Sequence, residues 1–117
     1  MNLGLVMDKK KALLEIVNSD KIEFVESSNV VFFMKGKDSG ILYIGFEDIS
    51  WSNDNDEEVD HKIYRNNNKA WEARVYCYSN ITEQQIAGLE KAVSKGEFVW
   101  KEFIYPQKPY CYLGIIC

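Results

Sequence analysis

The residues with the clearest potential for chemistry lie in one short stretch, SWSNDNDEEVDHKIY, at positions 50–64. Its five clustered acidic residues are Asp54, Asp56, Glu57, Glu58 and Asp60. Trp51 and Tyr64 flank the acids, and His61, the one histidine of the sequence, follows them directly. Such a cluster can bind a metal ion, act in acid–base catalysis, form a solvated loop, or dock on a basic surface.

Calcium binding in this stretch would require a definite spacing. An EF-hand loop has oxygen ligands at alternate positions, a glycine at the sixth position and a glutamate at the twelfth. Counting from Asp54 puts Val59 at the glycine position and Arg65 at the glutamate position, and a start at Ser52 fails at the same two places. For zinc binding, the sequence offers only a single histidine and no paired-cysteine motif. We therefore predict no metal and no cofactor, with a looser surface calcium site as the minor alternative.

Catalysis lacks suitably placed groups. Asp60 and His61 are neighbours where a strand is predicted to begin, so their side chains would point to opposite faces. Glycoside hydrolysis needs two carboxylates fixed in a cleft with separated pKa values, which a run of mutually repelling acids does not provide. The stretch KGKDSG lacks the spacing of a phosphate-binding loop. We predict that the protein is not an enzyme and has no catalytic residues; a small enzyme is the least favoured alternative.

The charge of the chain is unevenly distributed. The net charge is −4, but the segment from Glu47 to Asp60 holds seven acids and no lysine or arginine, while the remainder has 11 acids and 14 bases. Phosphate binding needs lysine and arginine, so we predict that nucleic acid is not the partner. A protein with a basic surface would complement this segment. The alternative is a purely solubilising loop.

The tyrosines give a second indication of function. In AWEARVYCYS, Tyr76 and Tyr78 lie on the strand face opposite Cys77, and Tyr110 and Tyr112 share one face of the last strand. If helices cover only one side of the sheet, several of these rings remain exposed. An exposed aromatic patch marks an interaction site or a dimer interface. Self-association as a homodimer is therefore the alternative function, and coverage of the rings by helix or loop is the alternative structure.

Length and composition predict one cytoplasmic domain over residues 1–117. With 46% hydrophobic and 14% aromatic residues, the chain can form a core without metals or disulfides. No apolar run approaches the roughly 18 residues of a membrane span, and the start of the chain does not fit a signal peptide. Three cysteines in apolar contexts, Cys77, Cys111 and Cys117, favour reduced thiols. A bridge between Cys77 and Cys111 stays open as an alternative.

The apolar periodicity predicts an α+β fold with a mainly antiparallel sheet of about five to seven strands and two helices, in the order α-β-β-β-β-β-α-β-β. The predicted strands are KIEFVE, VVFFMK, ILYIGFE, HKIYR, AWEARVYCYS, EFVWKEFIY and YCYLGIIC. Three of the connections, GKDSG, NNNK and PQKP, are typical of hairpins.

Two segments carry the signals of helices. The first, DKKKALLEIVNS, has Asp8 as its cap and carries Leu13, Ile16 and Val17 on one face. The second begins with a capping box and ends at Gly96. Its capping pair and buried stripe are Thr82, Gln85, Ile86, Leu89 and Val93.

In size, in α+β class and in the stretch WSNDNDEEVDHKIY, the chain resembles the immunity proteins of bacterial toxin systems, which neutralise cationic nuclease toxins. The resemblance is one of type and has no defining motif. It implies a stoichiometric inhibitor in the bacterial cytoplasm that covers the substrate groove of a basic, nuclease-type toxin. The acids at 54–60 would then face lysine or arginine of the toxin in place of phosphates, and Trp51 and Tyr64 would be the aromatic anchors.

Overall fold

The computed structural model describes residues 8–27, 29–47, 62–63 and 72–116. Within these ranges the chain forms one six-stranded sheet with helices packed on both faces. The predicted partner-binding residues lie outside the described residues, as do His61, Trp71 and Cys117. Those partner-binding residues are Asp54, Asp56, Glu57, Glu58, Asp60, Trp51 and Tyr64.

The sheet is mainly antiparallel, which confirms the predicted α+β class. The strands are β1 Glu23–Ser27, β2 Val30–Lys35, β3 Leu42–Glu47, β4 Lys62–Ile63, β5 Ala73–Tyr78 and β6 Tyr110–Ile116. They lie in the order β1-β2-β3-β5-β6-β4, and every neighbouring pair is antiparallel except β4 and β6, which are parallel.

Three short helices and a π-helical turn complete the described part of the chain. They are α1 Lys9–Val17, α2 Glu83–Lys91, α3 Lys95–Val99 and the π turn Trp100–Ile104. None of the helices in these ranges combines the length and the apolar character that crossing a membrane requires.

Helix α1 covers one face of the sheet, which we call the α1 face. The Asp8 carboxylate accepts a hydrogen bond from the Lys11 amide at 3.1 Å, so the predicted cap is confirmed. Leu13 and Ile16 are fully buried and pack in one cluster with apolar side chains of β2, β3, β5 and β6. The helix is therefore held by its apolar stripe, as the sequence predicts.

Helices α2 and α3 pack on the opposite face. The amide of Gln85 donates to the Thr82 hydroxyl at 3.0 Å, and the amide of Thr82 donates to the Gln85 side chain at 3.0 Å. This reciprocal pair confirms the predicted capping box. Ile86 and Leu89 are buried in a cluster with side chains of β2 and β3.

The predicted end of the second helix at Gly96 and the predicted burial of Val93 are wrong. Val93 is fully exposed because the chain leaves α2 before it and begins α3 after it. Ser94 caps α3, and the Lys95 ammonium donates to the Ala92 carbonyl at 2.7 Å. The Ser94 hydroxyl and the Lys95 ammonium thus hydrogen-bond to backbone groups at the start of α3 and the end of α2, which would pair with one another in a continuous helix.

The segment EFVWKEFIY, predicted to be a strand, is helical over α3 and the π turn. Its aromatic and β-branched residues favour a strand. However, Val99 and Phe103 are four positions apart and both fully buried, which is the spacing of one helix face. The amide of Tyr105 donates to the Trp100 carbonyl at 2.8 Å, a five-residue bond that characterises a π turn. PQKP therefore joins a helix to β6 and not two strands.

The hairpin predicted between HKIYR and AWEARVYCYS is also wrong. β4 pairs with β6 and not with β5, so β6 lies between the two segments. Residues 113–116 of β6 are all buried. A strand that is apolar on both faces gains most from an interior position, whereas the two described residues of β4 occupy the edge.

The contact of β2 with β3 depends on one glycine. Phe32 pairs with Gly45 in the register of these strands, and its ring lies directly over the glycine, where a side chain would overlap it. The ring is fully buried in the cluster of the α1 face. Gly45 therefore provides the space that the fully buried Phe32 ring needs.

Replacing Gly45→Ala should lower the free energy of unfolding by about 1–3 kcal/mol, because the added methyl overpacks against Phe32. Urea unfolding measures this loss. In a Phe32→Leu background the same substitution should cost less, since leucine leaves room above the glycine. An equal loss in both backgrounds would contradict the assigned contact.

A candidate binding site on the tyrosine face

The alternation along β5 directs three side chains to the face opposite α1. Ala73, Val75 and Cys77 are buried in the cluster with α1, so the intervening side chains point the other way. These are Arg74, Tyr76 and Tyr78. On the neighbouring strand β3, they pair with Phe46, Ile44 and Leu42, in that order. The predicted separation of the two tyrosines from Cys77 is thus observed.

A bulge in β6 brings two further tyrosines to the same face. Tyr78 pairs with Tyr110 and Tyr76 pairs with Tyr112, but Val75 pairs with Gly114. Leu113 is therefore the extra residue of the bulge, and it is buried on the α1 face. The bulge lets β6 supply tyrosines to one face and a core leucine to the other.

The rings form a continuous network. The centroid of Tyr76 lies 5.0 Å from that of Tyr112, 5.7 Å from Phe46 and 5.8 Å from Tyr110. Tyr78 lies 5.7 Å from Phe103 and 6.0 Å from Tyr110. These distances are within the range in which aromatic pairs attract one another. The network therefore holds its members in fixed relative positions.

The network is covered at one end only. Tyr78 is buried under Phe103 of the π turn, and it belongs to the cluster with α2 and α3. Tyr76 and Tyr112 are half-buried, and Tyr110 is 64% exposed. The helices on this face thus cover β2, β3 and Tyr78 and leave the tyrosines of β5 and β6 progressively accessible.

The accessible end borders a cavity of about 710 Å³, which we call the tyrosine cleft. Its main lining residues are Phe46, Arg74, Tyr76, Tyr78, Lys108 and Tyr110. Of the described residues that line the cleft, Arg74 and Lys108 are the charged ones, and both are half-buried. The cleft is therefore an aromatic surface with positive charge and without a described carboxylate.

The π turn and the residues after it position Lys108. The amide of Lys108 donates to the Phe103 carbonyl at 2.9 Å, and the amide of Gln107 donates to Ile104 at 3.0 Å. The Lys108 ammonium in turn donates to the Asn80 carbonyl at 2.7 Å. The side chain is thus anchored at both its backbone and its charged end.

The chemistry available in the cleft is recognition by stacking, hydrogen bonding and positive charge. Tyrosine offers a large apolar ring together with a hydroxyl that donates and accepts. In the described part of the chain, no three His, Cys, Asp or Glu side chains lie close enough together to hold a metal ion.

Two cysteines lie away from this cleft, on the α1 face. Cys77 and Cys111 are opposite each other in the register of β5 and β6, and both are free thiols. Burial, followed by the nearby Cys111, raises the pKa of Cys77 to about 12. A thiol with so high a pKa is a poor nucleophile at neutral pH, which fits a place in the core.

The cleft includes Tyr76, Tyr78 and Tyr110 of the tyrosine face that the sequence offered as the alternative interaction site, but none of the partner-binding residues predicted at positions 51–64. The predicted acidic and aromatic partner-binding residues lie outside the described ranges, whereas the cleft uses Arg74, Lys108 and Phe46. The alternation of β5 already places Arg74 beside the tyrosines. Lys108 and Phe103 carry no such signal, because their positions follow from the π turn, whose residues favour a strand by composition.

Comparison with known proteins gives a likeness of fold. No family model matches the sequence, and no curated protein matches it. Among solved structures, the chain is similar to a KTSC domain protein from Yersinia pestis, with 19% identity and a TM-score of 0.50. The match covers 80% of this chain and 96% of the Yersinia chain. At this identity it supports the α+β fold and nothing further.

The buried tyrosine of the cleft should make stability depend on alkaline pH. Burial, and then the nearby Tyr76 and Tyr110, raise the pKa of Tyr78 above its ordinary value of 10.0. The folded state keeps this phenol neutral where the unfolded chain ionises it, so its contribution is complete below pH 10.0 and is lost as pH rises further. Tyr78→Phe removes the ionisable group and should flatten this decline.

Urea unfolding over the alkaline range measures the slope. Tyr105→Phe is the matched control, because Tyr105 is 74% exposed and should leave the slope as in the parent protein. Identical slopes for Tyr78→Phe and Tyr105→Phe would contradict the assigned burial of the Tyr78 phenol.

Proposed function

We propose that the protein acts by binding another protein, without catalysis of its own, and that the tyrosine cleft is a principal contact surface. The observation that supports this most is the ring network around Tyr76, which is fixed by packing at one end and open at Tyr110. Tyrosine and arginine are enriched in the energetically important centres of protein interfaces. A fixed aromatic ring also loses little conformational entropy on binding.

The aromatic surface extends beyond the cleft, across the π turn. Trp100 is 54% exposed, Ile104 is 38% exposed and Tyr105 is 74% exposed. The rings of Trp100 and Tyr105 are 6.3 Å apart. Exposed aromatic residues this close to a cleft favour a protein partner over a small ligand, because only a large partner covers both areas.

We propose further that the partner is a basic, nuclease-type toxin and that the protein is its immunity protein in the bacterial cytoplasm. Support comes from the sequence, in which one segment carries the whole net negative charge. That segment begins at Glu47, the last residue of β3. The acids would steer the encounter with the toxin and the cleft would supply lasting affinity.

Self-association is the second candidate function. It is favoured by the same exposed rings, since an aromatic patch can also be covered by a second copy. Sedimentation velocity of the pure protein separates the candidates: a stable homodimer supports self-association, and a monomer supports a different partner.

Tyr110→Ala should weaken binding to the native partner about tenfold or more, because it removes the open end of the ring network. Calorimetric titration with the partner purified from the native cell measures the loss. Leu14→Ala is the matched control, since Leu14 is also an exposed apolar side chain but lies on α1, on the other side of the sheet. An equal effect of both substitutions, with both variants folded, would contradict the proposed role of the cleft.

Replacing Asp54→Asn, Asp56→Asn, Glu57→Gln and Glu58→Gln together should slow association with the partner at least about tenfold, because the steering charge is removed. Stopped-flow mixing at two salt concentrations measures the rate. The parent protein should lose its rate advantage in high salt, and the variant should change little. Unchanged association and affinity in the variant would show that the acidic segment is not part of the interface.

A further inference from the structure

We propose that Cys77 and Cys111 form a reversible cross-strand disulfide by exchange with a low-molecular-weight disulfide such as oxidised glutathione, and that this bond stabilises the part of the fold that covers the tyrosine cleft. Both thiols lie on the α1 face, and neither lines the cleft. The bond therefore acts through the strands and not through the binding surface itself.

The register of β5 and β6 places the two cysteines directly opposite each other. Cys77 is fully buried in the cluster of the α1 face, and Cys111 packs against the same cluster. Two residues further along β5, the Ser79 amide donates to the Pro109 carbonyl at 3.0 Å, which makes that pair a hydrogen-bonded one. Hydrogen-bonded and non-hydrogen-bonded pairs alternate along an antiparallel ladder, so Cys77 and Cys111 form a hydrogen-bonded pair as well.

This pairing gives the two cysteines a spacing that a disulfide can bridge. The Cα atoms of a hydrogen-bonded pair lie about 5.5 Å apart, and those of a disulfide are most often about 5.5–6 Å apart. The Cβ atoms of opposed residues are about 4.5–5.5 Å apart, whereas a disulfide needs about 3.5–4.5 Å. Closing the bond thus requires an approach of about 1 Å. β6 can accommodate this approach, because the bulge at Leu113 already interrupts the regular ladder two residues away.

The unequal exposure of the two thiols sets the order of the exchange. Cys111 is half-buried and Cys77 is fully buried, so the oxidant reaches Cys111 first. The Cys111 thiol loses its proton, its sulfur attacks one sulfur of the oxidant, and the other sulfur leaves as a thiolate with the bonding electron pair. The Cys77 thiol then loses its proton, its sulfur attacks that of Cys111, and the second thiolate leaves. The two thiolates take up the two protons, so one disulfide is reduced to two thiols while the cysteine pair is oxidised.

The second step is the slower one. Burial, followed by the nearby Cys111, raises the pKa of Cys77 to about 12, and the thiolate is the nucleophile in the exchange. A mixed disulfide on Cys111 should therefore precede the cross-strand bond.

The bond closes a loop that contains the helical cover of the cleft. Residues 78–110 lie between the two cysteines and include α2, α3 and the π turn. Phe103, which packs on Tyr78, lies in this loop. A crosslink that closes a loop of roughly 35 residues restricts the unfolded chain and so stabilises the folded one. Disulfides in the cytosol are usually transient and redox-sensing, so in the proposed compartment the bond acts as a switch on stability.

Redox titration of the full-length Cys117→Ala protein tests the proposal, since Cys77 and Cys111 are the cysteines that this background retains. As the ratio of oxidised to reduced glutathione rises, intact-mass spectrometry should show first a glutathione adduct and then a loss of two hydrogen atoms from the parent mass. Peptide mapping without reductant should find the peptides of Cys77 and Cys111 joined. In this background Cys111→Ser should take up no adduct, whereas Cys77→Ala, its matched control, should keep the adduct on Cys111.

The midpoint of urea unfolding is the second readout. The oxidised Cys117→Ala protein should unfold at a urea concentration about 1–3 M higher than the reduced protein. This comparison needs no substitution in the core, so it holds even if the single variants misfold. No binding partner enters the experiment, so its outcome is independent of the proposed function.

Three results would overturn the proposal. The first is a folded protein that keeps both thiols, or stops at the Cys111 adduct, at every glutathione ratio. The second is a disulfide that joins two copies of the chain in place of the two strands. The third is an equal urea midpoint for the oxidised and reduced forms.

Discussion

The position of β5 between β3 and β6 is the constraint on which the rest of the structure depends. Its register sends Val75 and Cys77 into the core beneath α1 and sends Arg74, Tyr76 and Tyr78 to the opposite face. A shift by one residue would exchange the two sets, placing an arginine in the core and thiol and valine side chains on the open face. The large cost of burying that arginine keeps the register fixed.

The helices cover the two faces of the sheet unequally, so the side chains that β5 directs away from α1 form part of a candidate binding site. Helix α1 covers one face. On the other face, α2, α3 and the π turn cover the sheet as far as Tyr78, while Tyr76, Tyr110 and Tyr112 stay partly accessible. Because of the bulge at Leu113, β6 directs a leucine into the core beneath α1 and directs Tyr110 and Tyr112 to the opposite face. The same two strands therefore supply side chains both to the core and to the candidate site.

Much of the fold could be predicted from local patterns. The cap at Asp8, the capping box at Thr82 and the alternation in β5 depend on neighbouring residues, and each is observed. The helical segment after Ser94 could not be predicted in this way, because its aromatic residues favour a strand locally. Its helical form depends on the packing of Val99 and Phe103 in the core, which is a tertiary contact. The same limit applies to the cleft: its tyrosine row follows from alternation, but Lys108 reaches it only through the tertiary path of the π turn.

We propose that the protein meets its partner at the open end of the ring network. Amide hydrogen exchange of the protein, alone and in complex with the partner isolated from its native cell, tests this claim most directly. Binding at the cleft predicts added protection around Phe46, in the turn after the π turn and at the start of β6, with no change in α1. Added protection confined to α1 and the neighbouring core face, with none in these segments, would contradict it.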